Sequence, residues 1–200
     1  MFEVVEYIGI VAFAISGFLV GVRNRLDLLG VLISVFLTAL GGGVIRDILV
    51  DKTPYSFTHY APIIFVILVI LFMLIFKLYR QNKLEKRLFF IISDSLGLAS
   101  FSISGAIAAL ESNFNITGVL AISFIASVGG GIVRDIIINE VPLVFKTGFY
   151  GTISLLIGVV IYILNYFKYI NISSLILILT LGTLLRVYAY YKKWSLPRID

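Results

Sequence analysis

Apolar residues run along this chain in seven stretches, at about 3–22, 28–50, 61–79, 88–110, 116–138, 147–165 and 172–190. Each reads as a membrane-spanning helix, because about 20 apolar residues are needed to cross a hydrocarbon core of about 30 Å. The polar connections are too short to hold a soluble domain. Glu3 and Glu6 stand where a cleaved signal would carry basic residues, so the first stretch is expected to stay as a helix. The pattern predicts an all-α membrane protein with seven transmembrane helices in one domain, residues 1–200.

The polar positions inside the stretches recur. Residues 6–57 align without a gap on residues 94–145, at a constant offset of 88, with 17 identities in 52 positions. Phe13-Ala14-Ile15-Ser16-Gly17 returns as Phe101-Ser102-Ile103-Ser104-Gly105, and Pro54 and Phe57 return as Pro142 and Phe145. Gly41-Gly42-Gly43-Val44-Ile45-Arg46-Asp47 returns as Gly129-Gly130-Gly131-Ile132-Val133-Arg134-Asp135. Repeat 1 spans about 1–80 and repeat 2 about 88–166, and the seventh helix at about 172–190 has no counterpart. Three helices per repeat make the second copy enter the membrane from the opposite side, which is an inverted repeat.

Composition agrees with this reading. The chain is 60% apolar and 14% charged, with a mean hydropathy of +1.07, whereas soluble chains carry about 25% charged residues. Eleven lysines and arginines fall on one side: Arg23, Arg25, Lys77, Arg80, Lys83, Lys86, Arg87, Lys146, Lys192, Lys193 and Arg198. The other side has two, Lys52 and Lys168. This asymmetry puts the N-terminus outside and the C-terminus in the cytoplasm. It also accounts for the net charge of +5 without a nucleic-acid partner. The chain has no cysteine, and its one histidine, His59, lies in a connection, so neither a thiolate nor a histidine metal site is expected.

Three consecutive glycines are poor helix material, each roughly 1 kcal/mol worse than alanine. Two readings of them stand. They interrupt the second and fifth helices and free carbonyls for an ion or solute site, or they let helices approach closely. Arg46, Asp47, Arg134 and Asp135 need partners in the membrane. Neighbouring residues on a helix point apart, so Arg46 and Asp47 are not expected to pair. The repeat offers Glu6 to Arg46 and Asp94 to Arg134, at the same levels of the bundle. Asp47 and Asp135 are then left either to face an aqueous path or to cap helix ends. Ser16, Thr38, Ser104 and Ser127, with Ser34, Ser100, Ser102 and Ser123, either line a polar conduit or join helices. The chain has no phosphate-binding loop, zinc-protease motif or nucleophile elbow, so an enzyme is not expected.

The doubled GGGxxRD motif, with a proline seven residues after each Asp, resembles the TRIC family, the trimeric intracellular cation channels and their prokaryotic relatives. The resemblance covers nearly the whole chain. It implies a homotrimer in a bilayer with one pore per protomer, kinked second and fifth helices around it, permeant K+ and Na+, and no cofactor. The length is similar to that of prokaryotic plasma-membrane members. The residues carried over are Gly41, Gly42, Gly43, Arg46 and Asp47 with Gly129, Gly130, Gly131, Arg134 and Asp135. The same motif also occurs in relatives that resemble transporters of glycine or other small solutes, which is the alternative function.

Overall fold

The computed structural model describes residues 2–78, 83–146 and 149–196. Among them are nine helices and no strand: α1 (Phe2–Arg23), α2 (Leu28–Leu49), α3 (Tyr55–Thr58), α4 (Ala61–Ile75), α5 (Lys83–Glu111), α6 (Ile116–Ile137), α7 (Leu143–Lys146), α8 (Gly151–Tyr166) and α9 (Ile172–Tyr191). The seven apolar stretches coincide with α1, α2, α4, α5, α6, α8 and α9. Five of these are long and apolar enough to cross a membrane. The other two, α4 and α8, have 15 and 16 residues, or roughly 22–24 Å at about 1.5 Å per residue. The ends expected at 79 and 147 lie outside the described residues, as do Arg80 and Arg198 and the side chains of Lys83 and Lys86. The short helices α3 and α7 are not visible in the apolar pattern, because one turn of helix has no periodicity to read.

Local structure repeats with the sequence. Asp27 caps α2 by accepting from Gly30 N at 2.7 Å, and Asn115 caps α6 by accepting from Gly118 N at 3.0 Å. Arg25 and Asn113 are both left-handed, with φ of 55° and 58°. Asp51 and Asn139, after α2 and α6, repeat this at 57° and 58°. A non-glycine residue adopts this conformation uncommonly, and it serves here to reverse the chain just past a helix end.

The two halves meet along α1 and α5 and along α2 and α6. Phe13 and Phe101, equivalent in the repeat, stack at 5.3 Å with their planes 17° apart. Each ring lies over a glycine of the opposite helix: a methyl at Gly97 would collide with Phe13, and one at Gly9 would come within 3.1 Å of Phe101. In lipid the apolar effect does not favour one helix contact over another, so close backbone approach and interhelical hydrogen bonds decide the packing. One core cluster joins α1, α2 and α4 with Phe101, and the other joins α5, α6, α8 and α9 with Val5 and Val50. On its outer side α4 exposes Ile64, Ile67, Leu68, Leu71 and Phe72, as a lipid-facing helix does.

Candidate functional site

The glycine stretches lie where α2 crosses α6. Both helices run unbroken through residues 41–43 and 129–131, so the expected interruption is absent and the glycine carbonyls stay within helices. The glycines give close approach instead. A methyl at Gly42 would collide with the carbonyl of Ala126, and one at Gly130 would come within 2.6 Å of the Leu37 carbonyl. At Gly131 the nearest neighbour would be the Arg134 guanidinium at 3.8 Å, so the three positions are not equivalent. The crossing needs Gly42 and Gly130, and Gly131 merely adjoins it.

Three residues past each stretch, the arginines turn back into the bundle. Arg46 is 2% exposed and fully engaged. Its Nε donates to Asp47 Oδ1 at 2.8 Å, Nη1 to Ser104 Oγ at 3.0 Å, and Nη2 to Glu6 Oε1 at 2.9 Å. The second oxygen of Asp47 accepts from Tyr55 N at 2.8 Å, at the start of α3. The Glu6–Arg46 pair is the one expected from the repeat. The Arg46–Asp47 contact corrects the expectation that neighbours cannot pair. The long arginine stem bends along the helix and brings its guanidinium beside the carboxylate at 2.7 Å.

At the other end, Arg134 Nε donates to Asp135 Oδ1 at 2.8 Å and Nη1 to Thr38 Oγ1 at 3.3 Å. Asp135 Oδ2 accepts from Leu143 N at 3.0 Å, at the start of α7. Asp47 and Asp135 therefore anchor the short helices rather than standing free in a water path. The expected Asp94–Arg134 bridge is not made: no ion pair within 4.0 Å joins them. Asp94 accepts instead from Ser16 Oγ at 3.3 Å, with Tyr150 beside it. Aspartate is one methylene shorter than glutamate, and Tyr150 stands where the first repeat has Pro62.

Most of the hydroxyls read as a conduit join helices. Ser34 donates to the Gly17 carbonyl at 2.8 Å, and Ser123 to the Ser102 and Ser154 carbonyls at 3.0 and 2.9 Å. Ser127 donates within its own helix, to Phe124 O at 2.9 Å. Ser16, Ser104 and Thr38 are the three that touch the charged groups. Ser100 Oγ is buried with no partner among the described residues.

Cavities reach the two ends unequally. One of about 770 Å³ reaches Asp94 and is lined also by Leu19, Val22, Arg87, Lys146 and Arg186. Those that reach Glu6 hold about 170 and 10 Å³. Two residues here escaped the sequence reading. Arg186 is a buried arginine on the unrepeated helix α9, and its charge inside an apolar stretch is the signal that could have found it. Tyr150 had no signal beyond its mismatch with Pro62.

A family model described as "Glycine transporter" matches residues 3–78 and residues 91–166. A UPF0126 membrane protein of Deinococcus radiodurans is 42% identical over 68% of this chain, and the match spans 63% of that protein's length. Two solved structures align over nearly the full length of both chains. One comes from work on conductance through TRIC cation channels, with a TM-score of 0.84, 36% identity, and coverage of 100% of this chain and 98% of that one. The other is a crystal structure of a prokaryotic TRIC channel, with a TM-score of 0.88, 31% identity, and coverage of 98% of each chain.

Proposed function

Because the chain belongs to the TRIC family, and to the family described as Glycine transporter, we propose that it is a passive channel for monovalent cations, K+ and Na+. The observation that carries this reading is the charge balance inside the bundle. Arg46 has two carboxylates in contact, Glu6 and Asp47, so the cluster is formally net negative. Arg134 has Asp135 in contact. An intramembrane arginine left unpaired would favour anions; these arginines are neutralised. Since the glycine carbonyls are used within helices, the ion keeps most of its water and meets carboxylate and hydroxyl oxygens.

On this reading all seven apolar helices cross the membrane as two inverted three-helix repeats and a final helix, α9. The short α4 and α8 are accommodated by local thinning of the bilayer. The protein is a homotrimer in a prokaryotic plasma membrane, its N-terminus outside and its C-terminus in the cytoplasm. Each protomer holds a pore lined by α2 and α6, and no catalytic step or cofactor is involved.

The test is recording from purified protein in a planar bilayer under asymmetric KCl. Discrete openings that reverse near the K+ equilibrium potential are expected. Silence from folded protein, with saturable uptake of labelled glycine into liposomes, would replace the channel by a small-solute carrier.

A further inference from the structure

Arg186 is the charged residue of α9, the span with no counterpart in the repeat. It is 4% exposed, its guanidinium lies 4.7 Å from the Tyr150 ring and 5.8 Å from the Tyr190 ring, and its Nε has no hydrogen-bond partner among the described residues. Tyr150 also lies beside Asp94, so one phenol adjoins both a buried carboxylate and a buried guanidinium. No ion pair within 4.0 Å joins the two charges, yet both line the cavity of about 770 Å³. Arg23, Arg25, Arg87 and Lys146 line it too, but all four are exposed. Dissolved salt screens exposed charges within about 10 Å at 0.1 M and screens buried ones much less. Of the charges lining this cavity, Asp94 and Arg186 therefore set the lasting potential, beside the Arg134–Asp135 pair whose charges cancel, and low-dielectric walls focus it.

We propose that Arg186 sets the electrostatic potential of this cavity by offsetting Asp94, and thereby limits cation entry from the Arg134 end. This rests on the channel reading. The Tyr150 ring holds the Arg186 guanidinium in place beside this cavity. Arg186 is thus a determinant of conductance and rectification that the repeat alone does not contain.

The test uses the chain's lack of cysteine. Val22 is half-buried and lines the cavity, so Val22→Cys supplies a single thiol there. Its modification rates by a cationic and by an anionic methanethiosulfonate reagent report the local potential without any current. Arg186→Gln is expected to raise the cationic-to-anionic rate ratio about threefold or more at low salt. Arg186→Lys should leave the ratio near wild type. Asp94→Asn should move it the other way, which also serves if Arg186→Gln does not assemble. In bilayers Arg186→Gln should raise K+ conductance for current entering from the Arg134 end and change rectification. A ratio unmoved by either charge-removing variant overturns the proposal, as does a shifted ratio with unchanged current in protein that conducts. A silent wild type would sink the channel reading alone, and the thiol rates would still decide whether Arg186 sets the potential.

Discussion

At one end of the bundle a carboxylate reaches its arginine, and at the other the equivalent carboxylate does not. Glu6 meets Arg46 at 2.9 Å, while Asp94 turns to Ser16. Ser16 and Ser104 are equivalent in the repeat, yet Ser104 accepts from the arginine and Ser16 donates to the carboxylate. Backbone caps and left-handed turns, by contrast, agree between the halves to within a few degrees of φ. A repeat therefore preserves the backbone and the kinds of residue, but one methylene and one aromatic ring suffice to rewire a buried charge. The exposed ends vary the contact in another way. Arg23 aligns with Glu111 and Lys52 with Glu140, so the Lys52–Glu111 pair at 2.8 Å and the Arg23–Glu140 pair at 3.4 Å are one contact with its charges exchanged.

The sharpest way to break this comparison is to remove the arginines. Arg46→Met strands Glu6 and Asp47 together, and a loss of about 3–5 kcal/mol is expected. Arg134→Met strands one carboxylate, Asp135, which keeps the Leu143 N donor, and should lose less, about 1–3 kcal/mol. Thermal unfolding in detergent measures both, and equal losses would mean that Asp94 depends on Arg134 after all. Within the glycine stretches, Gly42→Ala should cost about 1–3 kcal/mol by forcing α2 from α6. Gly131→Ala meets nothing closer than 3.8 Å and should be neutral or gain up to about 1 kcal/mol in helix propensity. Where the halves agree, effects should agree: Asp27→Ala and Asn115→Ala should each lose about 1 kcal/mol as helix caps.

The smallest effect concerns Glu140, which lies outside the apolar stretches. The Lys146 ammonium, in hydrogen-bond contact at 3.1 Å, together with Arg23 holds its carboxyl below the usual range. A carboxylate whose folded value is depressed contributes stability above its unfolded value, near 4.5, and loses it as pH falls through the folded value. Glu140→Gln should therefore cost up to about 1 kcal/mol at pH 7, because Glu140 is only half-buried and both its partners are exposed. The difference from wild type should vanish in acid and in about 1 M salt. Melting temperatures of the two proteins across pH and salt would check this, and a difference that persists in acid would rule the ion pair out as its source.

The sequence by itself determined the seven apolar helices, the register of the repeat and the Glu6–Arg46 pair. Helix formation and apolar length are local properties, and a constant offset of 88 places equivalent residues at equivalent heights. Only the tertiary structure decided that the triple glycines are a crossing and not a break. Propensity makes three glycines look like an interruption, and the facing carbonyl of Ala126 that requires Gly42 comes from another helix. Only the tertiary structure decided, too, that each arginine folds back onto its neighbouring aspartate, because spacing along a helix fixes where Cβ points and not where a long stem ends. Arg186 and Tyr150 come together across α9 and the start of α8. Which side chain a buried charge meets depends on reach and on helix crossings, and neither is written in the spacing of one chain.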